Sequence, residues 1–295
     1  MQNRTRTCIG LLEVLGQVSS IFHSFFPFFL TRDIAFPGIV ARVHLEVLPF
    51  HKEGFRSSAY VYPSHLHRIA VEWLLSVTPG IGEDTETIMV AYHDNSQLCY
   101  AVKFVTFGST ATATEQLHQH IQKTRPPGTL AEWNHQEEFF ESLYEGQAQA
   151  NPQSHYYSAD TVFLKNDADV VTLLEHAFQL PPGKSYAFWN LMYPRSRRIL
   201  SGMALGIQSD HQVCIYAISE TKDEAEHHSN WLQKTMGIIR PHSVGAYLGE
   251  SGPDILPSSW SWGENNTQRL TQVLQKWDPE GIFAAVFRLP RKHKP

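Results

Sequence analysis

Cysteine is scarce in this 295-residue sequence: Cys8, Cys99 and Cys214 stand far apart with no CxxC spacing. That excludes a disulfide framework and a thiolate zinc site. Long apolar runs are missing as well. The segment Val18 to Leu30 is interrupted by His23 and Pro27 and falls short of the roughly 20 residues a spanning helix needs. Glu13 and Gln17 precede it and no small-residue cleavage pattern follows, so it reads poorly as a signal peptide. Charge of one sign is not in excess: 24 basic and 29 acidic residues are interspersed, for a net charge of -5. Neither nucleic acid nor an anionic membrane finds a broad footprint there, and no partner of either kind is expected. HExxH, GxSxG, Walker-type and GxGxxG signatures are absent, which removes the usual marks of zinc-protease, hydrolase, nucleotidase and dinucleotide-binding chemistry.

What the chain has is apolar residues, 42% of its content, and 16 histidines. The first suffices for a sizeable core. The second invites a metal reading, but His65/His67 and His118/His120 are each two apart on predicted helices and so point to different faces. They are read as exposed helix histidines, and no metal site is expected.

Periodicity places the elements. Ile39, Ala41, Val43, Leu45 and Val47 alternate with polar residues as in a half-buried strand. Ser57 to Tyr62 is a second strand. A helix follows, with Ser64 as its N-cap and Leu66, Ile69, Ala70, Trp73, Leu74 and Val77 on one face. Thr87 to Tyr92 and Leu98 to Phe107 form a strand pair around His93 to Ser96, and a helix covers Ala111 to Lys123. Beyond Arg125-Pro126-Pro127-Gly128 the pattern predicts a helix near Glu137 to Tyr144 and a flexible loop over Gly146 to Ser154. Strand Tyr156 to Leu164, helix Asp167 to Phe178, strand Ser185 to Tyr193, a hairpin across Ser209-Asp210 and helix Lys222 to Met236 complete the series. The fold class is α+β, an antiparallel sheet covered by helices.

The C-terminal region is more specific. Ser243-Val244-Gly245-Ala246-Tyr247-Leu248-Gly249-Glu250 is followed by Trp260-Ser261-Trp262-Gly263-Glu264-Asn265-Asn266-Thr267-Gln268-Arg269-Leu270 and by Lys276-Trp277-Asp278-Pro279-Glu280-Gly281-Ile282-Phe283. Asn265 or Asn266 can cap a helix with Leu270, Val273, Leu274 and Trp277 as its buried stripe, stopped by Asp278-Pro279. These three stretches, with Phe36-Pro37-Gly38-Ile39-Val40-Ala41-Arg42 upstream, resemble in order and spacing the berberine-bridge-enzyme-like FAD-linked oxidoreductases, flavoproteins of the vanillyl-alcohol-oxidase type. The resemblance covers Phe36 to Phe283.

The resemblance implies a flavin-oxidase substrate domain over 51–240, a remnant of the FAD-binding domain over 36–50, and a C-terminal segment over 241–290 that returns to the FAD domain. It implies FAD as cofactor, a small organic substrate, hydride transfer from substrate to flavin N5, reoxidation by oxygen, and a place in secondary metabolism. Gly38, Ile39 and Val40 match the stretch lying near the FAD adenosine diphosphate, and Asn265 or Asn266 the flavin-facing Asn. The aromatics Tyr186, Phe188, Trp189 and Tyr193 line a substrate pocket on this reading, with Trp260 and Trp262 standing where the family often has Tyr. Tryptophan has only an N–H donor, so the base falls to Tyr247 or to the carboxylate of Glu250, each of which serves equally as a packing or hydrogen-bonding residue.

The family's flavin-binding first domain belongs before Phe36, and residues 1–35 are read as non-homologous. Codons allowed for residues 5–17, shifted by one nucleotide, spell a string similar to the family's, and Val18 to Ala35 is compatible with an intron. The alternative expectation is a non-catalytic truncated fragment, or a flavin-free binding protein that keeps the substrate domain.

Overall fold

In the computed structural model the described residues are 42, 47, 49–199, 209–247, 250 and 259–280; the expected strand from Ile39 and the Gly38–Val40 stretch lie outside them. Among the described residues eight strands form one sheet: β1 (Phe55–Pro63), β2 (Thr85–Asp94), β3 (Gln97–Phe107), β4 (Ala131–Glu137), β5 (Tyr156–Leu164), β6 (Tyr186–Leu191), β7 (His211–Ser219) and β8 (Ser243–Gly245). Their order is β4-β1-β3-β2-β6-β7-β5-β8, and every neighbouring pair is antiparallel. Between β2 and β3 the chain reverses through Asn95 and Ser96, both at positive φ, which gives the two-residue hairpin the twist its strands require.

Side-chain alternation gives the sheet two different faces. Tyr60, Tyr62, Met89, Phe104, Trp189 and Ile215 point to one side and share a core with Ala70, Leu74, Leu174 and Met236. Those partners come from α1 (His67–Val77), α4 (Val170–Ala177) and α5 (Lys222–Ile239). The other helices are α2 (Ala111–Thr124), α3 (Phe140–Ala150), α6 (Ser259–Trp262) and α7 (Glu264–Trp277). Local chemistry starts several of them: Thr110 caps α2 by accepting from the Ala113 amide, Asp169 caps α4 through Thr172, and Thr221 with Glu224 forms a capping box on α5.

The α+β class and most elements match the sequence reading; several details do not. Ser64 does not cap α1: Ser64–Leu66 form a 3₁₀ turn, the helix begins at His67, and no side chain caps it. That turn shifts the buried stripe to His67, Ala70, Val71, Trp73, Leu74 and Val77 and leaves Ile69 51% exposed. Strand β4 was not expected, because its sequence AEWNHQE has no apolar alternation. It is an edge strand that forms by pairing with β1. Helix α3 starts at Phe140 and runs on to Ala150, through much of the segment expected as a loop.

The histidines are the larger correction. His118 is 1% exposed and lies between the Ser58 and Thr106 hydroxyls, at 2.7 and 3.1 Å. His67 is buried too and hydrogen-bonds the Val171 carbonyl. Each completes its helix's inward stripe with a polar ring: both nitrogens of His118 find hydroxyl partners, while on His67 only Nε2 is bonded among the described residues.

Candidate active site on the face opposite the main helix layer

On the other side of the sheet, Tyr186, Phe188, Cys214 and Ile218 form a second apolar cluster, flanked by Ile88, Val90, Tyr92 and Tyr216. Register puts these side chains together, since Tyr186 pairs with Tyr216 and Phe188 with Cys214 while Val90 pairs with Phe188. Tyr216 stacks on Tyr186 with ring centroids 4.8 Å apart and 16° between planes, and lies 6.3 Å from Phe188. The Tyr186 hydroxyl donates to Asn151 Oδ1 at 3.1 Å. The result is an aromatic floor held at its edge by a side-chain amide.

A polar row crosses that floor. Asn190 Nδ2 donates to Gln212 Oε1 at 3.1 Å, Gln212 Nε2 to Glu250 Oε2 at 3.4 Å, and the Tyr216 hydroxyl to Glu250 Oε1 at 3.4 Å. Glu250 is buried, so its carboxylate is fixed by donors from β7 rather than by bulk water. Cys214 stands between Gln212 and Tyr216 on the same face; burial and the neighbouring Glu250 push its thiol pKa well up, which keeps it protonated and unreactive.

Nearer the β1 side, Glu86 projects from β2 on the same face and is buried, and burial raises its carboxyl pKa to about 7 against the lowering influence of Arg195 and Lys103. Lys103 is paired instead with Glu138 at 2.6 Å. Glu86 Oε2 and Asn190 Oδ1 are buried without a hydrogen-bond partner among the described residues.

The sequence-predicted site residues divide between locations. Tyr186, Phe188 and Glu250 meet on the open face. Tyr247 is half-buried nearby, and its carbonyl accepts the Glu250 amide at 3.3 Å. Trp260 is tied to the chain beyond β8 by the bond from the Ala246 amide to its carbonyl. Trp262 is 3% exposed, and its Nε1 proton has no acceptor among the described residues.

Asn265 and Asn266 lie in the first turn of α7, exposed and half-buried respectively. Neither is the cap: the N-cap is Gly263, at φ +73°, with no side-chain cap bond. The α7 stripe is Leu270 and Leu274, whereas Trp277 is 65% exposed beside Lys276. Trp189 and Tyr193 are not on the open face. Trp189 is fully buried on the helix side, donating to His211 Nδ1 at 3.3 Å, and Tyr193 lies on that side next to Leu75 and Pro79. Strand parity separates Trp189 from Phe188, its neighbour in sequence.

Gln212, Cys214 and Tyr216 were missed. Their signal was the period-two row Gln212, Cys214, Tyr216, Ile218 in β7, hidden because Val213, Ile215 and Ala217 make the alternate face equally buried. Among the described residues no helix is long and apolar enough to cross a membrane, and no group of three His, Cys, Asp or Glu side chains converges as a metal site would need.

No family model matches the sequence. The FAD-linked oxidoreductase ptmO of Penicillium ochrochloron is 28% identical over 248 residues, covering 83% of this chain and 54% of that protein. The FAD-linked oxidoreductase nodO of Hypoxylon pulicicidum is 28% identical over 254 residues, covering 85% and 56%. The chain thus spans about half the length of the curated relatives it matches. Among solved structures, BBE-like 1 of Physcomitrella patens superposes with a TM-score of 0.66 at 13% identity, covering 82% of this chain and 55% of that one. A berberine bridge enzyme variant in complex with (S)-reticuline gives 0.59 at 11% identity, covering 80% and 55%. The chain is a homologue of fungal FAD-linked oxidoreductases, and over these residues it has the fold of the berberine-bridge-enzyme-like flavoproteins.

Proposed function

We propose that this chain is the substrate-presenting part of an FAD-linked oxidoreductase of secondary metabolism, and that the sheet face opposite the main helix layer is the wall against which a small organic substrate lies. The observation that carries this reading is a carboxylate, Glu250, held by Tyr216 and Gln212 over an aromatic floor, in a chain homologous to FAD-linked oxidoreductases. An apolar, stacked floor with unpartnered Glu86 Oε2 and Asn190 Oδ1 at its edge suits a flat conjugated ring and a substrate carrying hydrogen-bond donors. The flavin, when bound, supplies the hydride acceptor N5, and oxygen restores it.

The chain's own residues do the rest. Tyr186 and Phe188 bind and orient the substrate ring. Glu250 takes the proton the substrate releases as its hydride leaves, and Tyr247 is the phenol alternative for that role. Trp260 and Trp262 close the pocket from the C-terminal segment, with the Trp262 indole N–H as a donor toward the bound molecule. When FAD is bound, Asn265 or Asn266 would hold its flavin end and Gly38, Ile39 and Val40 its adenosine diphosphate. In this assignment 51–240 is the substrate domain and 241–290 the returning segment.

The test is to purify the chain, add FAD, remove the excess by gel filtration and record the visible spectrum. A stoichiometric flavin band whose bleaching by substrate slows at least tenfold in Glu250→Gln is expected. A folded, monodisperse chain that retains no flavin overturns the oxidoreductase assignment for this polypeptide and leaves a flavin-free binding role.

A further inference from the structure

Where β6 leaves the sheet, a cavity of ≈ 310 Å³ opens on the helix side, across the sheet from Glu250. We propose that this cavity is a second binding site, for an uncharged, single-ring aromatic compound bearing one hydrogen-bond acceptor such as a carbonyl. Its floor is apolar: Leu75 and Pro79 come from the end of α1 and the turn after it, and Leu191 from β6. Tyr193 supplies an aromatic wall, with the Arg197 guanidinium 6.0 Å from its ring centroid. The volume lies at the small end of ligand pockets, which limits the occupant to about one ring with a short substituent.

His211 provides the specific polar contact. A tryptophan N–H can only donate, so the bond from Trp189 Nε1 makes His211 Nδ1 the acceptor and leaves the ring proton on Nε2. Burial lowers the His211 pKa, which keeps the ring neutral and that tautomer in place. His211 is 8% exposed and lines the cavity, and no acceptor among the described residues takes the Nε2 proton. With Nδ1 already committed, the Nε2 proton stands at the cavity, where an acceptor on the occupant can take it.

Charge then narrows the class. The two ionic side chains of the lining neutralise each other: Arg197 is paired with Asp210, whose other oxygen accepts from Ser196. The site has no unpaired charge to offer an ion, so an anion placed beside Asp210 is disfavoured and a neutral carbonyl is not.

Trp189 is a built-in reporter, because a ligand bonded to His211 Nε2 changes the ring that accepts its indole proton. In the ¹⁵N-labelled full chain, with that resonance assigned through Trp189→Phe, acetophenone is titrated against ethylbenzene and benzoate. Acetophenone is expected to shift the resonance saturably, with ethylbenzene about tenfold weaker for want of the acceptor and benzoate weaker still. Tyr193→Ala and the cavity-filling Leu75→Trp should each weaken acetophenone about tenfold or more. No saturable shift up to the solubility limit, equal binding of ethylbenzene, or binding indifferent to both variants overturns the proposal. The titration needs no flavin, so its failure leaves the reading of the open face standing, and failure of that reading leaves this one.

Discussion

Tyr216 does two things at once: its ring stacks on Tyr186 at 4.8 Å, and its hydroxyl donates to Glu250 Oε1 at 3.4 Å. The aromatic floor and the carboxylate above it are therefore positioned by one side chain. Tyr216→Phe keeps the stack and removes the donor. The expected cost in stability is about 1 kcal/mol, read by urea denaturation. In the flavin-loaded protein kcat should fall with KM little changed, because the substrate's ring contacts survive while the proton acceptor loosens. Equal kcat in Tyr216→Phe and the parent would remove the positioning role assigned to Tyr216.

Acid sensitivity follows from His118. Burial, with His135 beside it, lowers its pKa from 6.5 to about 4. The unfolded chain therefore takes up this proton first as pH falls, and the folded state loses stability between pH 6.5 and 4, by an amount on the order of 3 kcal/mol, with no further loss from this group below that window. His67 and His211, also lowered chiefly by burial, add to the same trend. Denaturation midpoints measured across that range should flatten in His118→Gln relative to the parent. An unchanged slope in the variant would remove His118 as the source of the effect and leave it to the other histidines lowered by burial.

Much of this was legible in the residues. β5 was read at Tyr156–Leu164, where it lies, because a run of apolar and β-branched residues between turn signals needs no tertiary information. The C-terminal motifs led to Glu250 before any fold was known. What stayed hidden depended on contacts distant in sequence. β4 exists because β1 offers an edge, not because AEWNHQE prefers a strand. Trp189 and Phe188, adjacent and both aromatic, could not be assigned to opposite faces until register was fixed. His118 reads as a surface helix residue until Ser58, sixty positions earlier, is brought to 2.7 Å.

Two glycines give a matched pair. A Cβ built on Gly54 would sit 1.9 Å from the Gly108 carbonyl oxygen, where the two backbones are joined by the bond from the Gly108 amide to the Gly54 carbonyl at 2.9 Å. Gly80, just after α1, meets nothing within 4 Å. Gly54→Ala should cost roughly 3 kcal/mol by forcing β1's entry away from the end of β3, while Gly80→Ala is neutral or stabilises by about 0.5 kcal/mol through the unfolded chain. Thermal melts of the two variants side by side decide it: similar midpoints would contradict the close approach at Gly54.

The helix layer is fastened to β5 by charge. Asp160 is buried on the helix side of β5, its Oδ1 accepting the Thr161 amide at 2.9 Å and its Oδ2 paired with Arg240, which follows directly on α5. The Asp160 side chain is 3% exposed and that of Arg240 23%, so water can replace little of what the arginine gives. Arg240→Leu strips the buried carboxylate of its cation and should destabilise by about 3 kcal/mol. Asp160→Asn, which removes the charge and keeps an acceptor for Thr161, should cost less. Combining the two should then cost less than the sum, since the second change relieves the buried charge that the first leaves behind. A double-mutant cycle by urea denaturation measures that coupling, and additive losses would show that Asp160 is held by the Thr161 amide and its other contacts without need of Arg240.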